Sequence, residues 1–249
     1  RRSQDLKLLS HFHEARRRSL ADASASQTPT GPCDLLLLSS AYGRQAKEEY
    51  GIWSPLVMQS SAHRAKAGMA RYQLGQSITS EPPGGEPLTL RSDGAIPYAP
   101  KSAPFDDYGQ AVRRFSLVEK GVAAGQSIDH RDAARGSLLS NGGVRNLVVG
   151  AGTRLLAELE SPEDKPLLVV HALGQVHAEV RGGLCLQVAS GQWLRRDAAG
   201  GLERKSVRGG VLSGNIYQWL QDAYFSRELG DEGWYRGPKA IRFNDRRVH

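Results

Sequence analysis

The sequence predicts an α+β chain, mostly antiparallel strand with a few helices. From about residue 113 onward it breaks into short, partly alternating apolar runs punctuated by glycine: RRFSLVEKGVAAGQSI, RNLVVGAG, KPLLVVHAL, QVHAEVRGGLCLQVASGQWLRR and LERKSVRGGVLSG. Apolar residues at helical spacing are confined to a handful of stretches. Prolines and glycines crowd the interval from Ile78 to Phe105, which leaves room there only for loop and short strand.

Each element can be justified in order. From Asp5 to Ser24, Leu8, Leu9, Phe12, Ala15 and Leu20 recur near helical spacing with arginines between them, which predicts a lead-in helix. SASQTPTGP then reads as a linker, and CDLLLLS as a short buried strand. Helices are predicted over Tyr42–Tyr50 and Ser61–Leu74. In HAEVRGGLCLQVASGQWLR, alternation places Leu184, Leu186 and Val188 on one face and Cys185, Gln187 and Ala189 on the other. Ile216, Leu220, Ala223 and Tyr224 form an apolar stripe that predicts a helix over Asn215–Phe225, and Lys239–Phe243 is the last expected strand. No internal repeat is visible. The organisation expected is a helical lead-in and linker over residues 1–31, then one domain over residues 32–249.

The 249 residues, 39% hydrophobic and 24% charged, match an ordinary globular chain that can bury a sizeable core. Apolar runs such as Leu35–Leu38 fall far short of the roughly 20 residues a membrane helix needs, and no apolar leader is visible, so a soluble, unexported, cytoplasmic protein is expected. Cys33 and Cys185 have no metal-ligand spacing and are expected to be buried, unreactive thiols in a reducing compartment. The chain begins at Arg1 rather than methionine, which points to removal of an upstream segment. A net charge of +7 permits nucleic-acid binding, but the arginines concentrate at Arg1, Arg2, Arg16–Arg18 and Arg242–Arg247, where solvated ends are the simpler account.

Several pieces in this order resemble the C-terminal domain of the TldD/PmbA family. SAPFDDYGQAVRRFSLVEKGVAAG, Ser102–Gly125, resembles the family's Phe-Asp-Asp/Ser-Glu-Gly stretch, with Tyr108 in place of Glu, followed by a strand that here ends in Val118-Glu119-Lys120-Gly121-Val122. DLLLLSS and LGQSI before it, and GVRNLVVGAG, GQVHAEVRGGLCLQVASGQW and SGNIYQWLQDA after it, resemble other family segments, and Ala134-Arg135-Gly136 a contracted form of its Ala-Arg-x-x-Gly loop. The resemblance implies strongly curved sheets and the PmbA/TldE type of member: a non-catalytic partner of a TldD-type zinc metallopeptidase that acts on peptides. It also implies zinc in that partner rather than in this chain, and either that partner or a second copy as the binding companion.

The metal-binding pattern of TldD-type members is His-Glu-x-x-x-His with a late cysteine. The nearest match here is His13-Glu14-Ala15-Arg16-Arg17-Arg18, where Arg18, a permanent cation, stands at the second histidine position. Trp234 and Tyr235 stand where the cysteine would be, so His13 and Glu14 are weak ligand candidates only. Substrate or partner contacts are expected from Asp106, Asp107, Arg135, Asn146, Trp234 and Tyr235, and an apolar partner surface from Trp219, Tyr224, Phe225, Trp234 and Tyr235. Two other readings are a basic nucleic-acid-associated regulator and an independent hydrolase using Asp106, Asp107 or His130. His171 and His177 read as structural, because Gly174 interrupts the strand between them.

Overall fold

A computed structural model describes residues 23–42, 50–71, 73–79, 84–134 and 138–249, together with residues 9, 12, 13, 15 and 16. Most of the expected Asp5–Ser24 helix and of Tyr42–Tyr50 lies outside the described residues. Strand makes up 41% of the structure and helix 17%, in line with the α+β expectation.

The first elements are β1 (Ser26–Gln27), β2 (Gly31–Leu38), α1 (Ser39–Tyr42), a 3-10 turn (Gly51–Trp53), α2 (Ser54–Gln59) and α3 (Ala62–Lys66). Then come β3 (Leu90–Asp93), β4 (Phe115–Glu119), β5 (Val122–Ala123), α4 (His130–Ala134), β6 (Asn146–Val149) and α5 (Leu156–Leu159). The last part holds β7 (Leu167–Ala178), β8 (Gly183–Arg196), β9 (Leu202–Arg208), β10 (Val211–Asn215), α6 (Ile216–Trp219), β11 (Ala223–Phe225), β12 (Leu229–Glu232), β13 (Tyr235–Pro238) and β14 (Ala240–Val248).

Five strands close into a barrel in the order β2-β7-β8-β10-β14 and back to β2; the β2–β7 pair is parallel and the others antiparallel. β2 explains the closure. Its DLLLL run is apolar at consecutive positions, as suits a strand covered on both faces: Leu35 and Leu37 face the main core, while Leu36 packs in a smaller one with Leu159, Leu167, Val169, Leu194 and Ala240. β9 and β10 lie along one edge of the long β8 as two halves of a bent strand. The bend is at Gly209 and Gly210, whose φ of 74° and 87° is natural only for glycine, and both still bond to Val188. The first half joins β1 and the second turns onto β14.

A second sheet runs β12-β13-β6-β3-β4-β5. It meets the barrel at an aromatic joint. Tyr42, which ends α1 after β2, and Tyr235 of β13 are fully buried with hydroxyls 3.1 Å apart and rings edge-to-face at 5.1 Å. Trp53 packs on Tyr42, and Trp234 on Tyr50. Glu86 adds a polar clamp: one carboxylate oxygen accepts from Thr153 N and Oγ1 and the other from Phe225 N, tying the 84–89 loop to β11.

Several expectations are corrected. The helix expected over Asn215–Phe225 is a single turn, capped by Asn215 Oδ1 accepting from Tyr217 N. Ala223–Phe225 then pairs with Phe243–Ile241 of β14, so ladder bonds override the apolar stripe. The helix expected over Ser61–Leu74 stops at Lys66, where Met69 N bonds to Arg64 O and closes the turn. The final strand runs past Phe243 to Val248, because a bulge between Phe243 and Arg246 restores pairing with β2. Nor is the C-terminal arginine run uniformly solvated: Arg242 is buried against Asp34, and Arg246 pairs with Asp222. Cys33 is buried as expected, but Cys185 is exposed, since alternation turns it to the outer face of β8.

Candidate functional site

α2 and α3 meet at Ser60 and Ser61, where main-chain groups bond to a segment outside the two helices. Ser127 N donates to Ser60 O at 2.8 Å and Ala62 N to Ser127 O at 2.9 Å, so the 127–134 segment is laid beside α3. Asp129 caps α4, its Oδ1 accepting from Asp132 N at 2.8 Å. Between the two segments lies a cleft of about 470 Å³. Ser61, His63, Arg64 and Met69 line it from the α3 side; Asp129, Arg131 and Asp132 line it from the α4 side.

The α4 wall is held from behind by Asn141. Its Oδ1 accepts from Ile128 N and Gly143 N while its Nδ2 donates to Gln126 O, and Ser140 Oγ donates to Ile128 O. Asp132 is only 6% exposed, yet its carboxylate has no hydrogen-bond or ion-pair partner among the described residues. Its oxygens are not among the fully buried side-chain atoms that lack a partner, so the carboxylate reaches the water of the cleft. Sequence reasoning missed Asp132, Asn141 and Ser140; a mid-segment Asp and a polar Ser-Asn pair carry no periodic signal.

The residues singled out from sequence fare differently. Asp106 Oδ1 accepts from Tyr108 N and Gln110 N, which makes it the organiser of a hairpin tip, and Asp107 beside it is exposed. Tyr108 stacks on His130, so this hairpin stands next to the α4 wall, but the two aspartates and His130 form no hydrogen-bonded constellation among the described residues. Arg135, Glu14 and Arg18 lie outside the described residues, and His13 is exposed. Asn146 is fully buried and spent: its Nδ2 donates to Asp93 O and Ser102 Oγ, and its Oδ1 accepts from Lys101 N. It braces a loop and offers nothing to a substrate. Trp234 and Tyr235 sit in the core, as do Trp219 and Phe225, so of the five aromatic candidates for an apolar partner surface only Tyr224 remains partly exposed. Tyr235 is buried on β13 between β12 and β6, Phe225 on β11 beside β14, Trp219 against Phe243 and Trp234 against Tyr50. No group of three or more His, Cys, Asp or Glu able to hold a metal ion exists among the described residues.

The described residues form a small curved barrel with an attached mixed sheet and a polar cleft. The sequence matches the PmbA/TldA metallopeptidase C-terminal domain over residues 51–248, and the chain belongs to that family. Among solved structures it is similar to TldE from Thermococcus kodakarensis, at 20% identity and a TM-score of 0.77, covering 100% of this chain and 57% of that one. It is also similar to a protein named as a modulator of DNA gyrase from Bacteroides thetaiotaomicron, at 17% identity and a TM-score of 0.72 over 95% of this chain and 51% of that one. A protein so named from Thermotoga maritima gives 17% and 0.72 over 94% and 53%. The chain therefore spans little more than half of each. A search of curated proteins finds no match. The metal that the family description names finds no fitting ligand set among the described residues.

Proposed function

We propose that this chain is a non-catalytic, PmbA/TldE-like partner subunit of a TldD-type zinc metallopeptidase in the cytoplasm, where it helps to hold peptide substrates. The reading rests on family membership combined with the chemistry at the ligand positions. Arg18 stands at the second histidine position, and where the late cysteine is expected the chain carries Trp234 and Tyr235, both locked in the core. No helix among the described residues is long and apolar enough to cross a membrane. The basic-regulator reading loses support from Arg242 and Arg246, which are engaged by carboxylates rather than free for phosphates.

The test is to purify the chain alone and co-expressed with a TldD-type chain from the same genome, then measure zinc by elemental analysis and cleavage of unstructured peptides. The expected result is a metal-free, inactive chain alone and a stable, zinc-containing, active complex. Stoichiometric zinc or peptidase activity in the isolated chain overturns the reading.

A further inference from the structure

We infer that the cleft between α3 and α4 captures the amino terminus of a peptide, with Asp132 as the group that binds the α-ammonium. This deepens, and rests on, the peptide-holding reading above. Asp132 is nine-tenths buried, lines the cleft and has no side-chain partner among the described residues. A cation that enters supplies the missing partner and gains a charge-assisted hydrogen bond in a partly desolvated setting. Asp129, at the exposed end of the same wall, adds a second negative charge.

The rest of the lining decides which cation. Arg64 and Arg131 face the same cleft, and their donors need acceptors. A lysine side chain carries no acceptor near its charge. An α-ammonium is followed two bonds later by a peptide carbonyl, so one ligand end satisfies carboxylates and guanidiniums together. Met69, half exposed at 53%, offers an adaptable apolar contact for the first side chain. The volume of about 470 Å³ is that of an ordinary small-ligand pocket, enough for a peptide end but not a folded domain.

The experiment is fluorescence anisotropy on the full chain with two probes: trialanine amide bearing a C-terminal fluorophore and a free amino terminus, and its N-acetylated twin. Free-amine binding that falls about tenfold or more on acetylation, and equally with Asp132→Asn, is the expected result, the size of one charge-assisted hydrogen bond. Should Asp132→Asn fail to give a cooperative melt, Asp129→Asn, which keeps the helix cap, must weaken the free-amine probe and leave the acetylated one unchanged. Equal affinity for both probes, or no binding of either, overturns the inference. In that event, zinc-dependent cleavage by the co-expressed complex still upholds the partner-subunit reading, whereas an inactive complex with acetylation-sensitive binding to this chain overturns that reading alone.

Discussion

Arg242 Nη2 and Asp34 Oδ2 meet at 2.6 Å inside the fold, joining β14 to β2 across 208 positions of sequence. The other Asp34 oxygen accepts from Asp245 N at the bulge, and Arg242 Nη1 donates to Ser161 O. This pair fixes the point where β14 resumes its register with β2. Removing Asp34 leaves the buried Arg242 guanidinium to the exposed Glu163 at 3.7 Å, a cost of up to about 3–5 kcal/mol. Asp34→Ala is therefore expected to lower the urea-unfolding midpoint sharply without changing the slope, while an exposed control, Asp107→Ala, stays within about 0.5 kcal/mol of the parent.

The aromatic joint predicts alkaline sensitivity. Burial pushes the hydroxyls of Tyr42 and Tyr235 well above the ordinary tyrosine value, and burial pushes the Cys33 thiol up to about 12. With folded values above the unfolded ones, the stabilisation is fully present below the unfolded values and is lost as pH rises past them. Loss begins near pH 9 as unfolded Cys33 ionises and steepens above about pH 10, by about 1.4 kcal/mol per pH unit for each buried tyrosine. In an ultraviolet titration, Tyr42 and Tyr235 should be among the tyrosines that ionise only when the chain unfolds. Tyr42→Phe should reduce that late-ionising group by one and cost about 1 kcal/mol at neutral pH.

Much of this architecture could be read from the sequence where one physical signal dominated. The apolar DLLLL run announced a buried strand, and the alternation around Leu184, Leu186 and Val188 separated the face that is buried from the one that carries Cys185. Where two signals competed, the local one lost: Ala223–Phe225 has a helical stripe but takes ladder bonds from β14. The cleft was illegible because its parts come from residues 61–69 and 129–132, joined by main-chain bonds to Ser127 that leave no trace in composition. Trp234 and Tyr235 were misplaced for the opposite reason, since large aromatics fit a docking surface and a core equally well until strand neighbours are known.

The Glu86 clamp predicts a steric limit at Gly152. A Cβ there would collide with the Phe225 carbonyl oxygen and sit 2.5 Å from Glu86 Oε2, both fixed by backbone or by several hydrogen bonds. Gly152→Ala is expected to cost about 3 kcal/mol or more by overpacking. Glu86→Ala should cost about 1–3 kcal/mol by leaving the Thr153 and Phe225 amides unsatisfied. The double variant should cost less than the sum, because removing Glu86 relieves part of the collision; thermal melts of all three check this.

The boundary of the family match yields the last prediction. Residues 51–248 match, yet β2, which closes the barrel between β14 and β7, lies before them at Gly31–Leu38. Leu35, Leu36 and Leu37 are each completely buried, and burying one such side chain contributes about 1.5–3 kcal/mol. Together they rival the about 5–15 kcal/mol that holds a typical domain folded. Deleting β2 also strips β14 and β7 of their ladder partner and removes Asp34 from Arg242. A chain trimmed to residues 51–249 should therefore be insoluble or bind a hydrophobic dye without a cooperative melt. One trimmed to 23–249, which keeps β1 and β2, should retain a cooperative melt. A cooperative melt of the shorter chain would show that the barrel stands without its fifth strand.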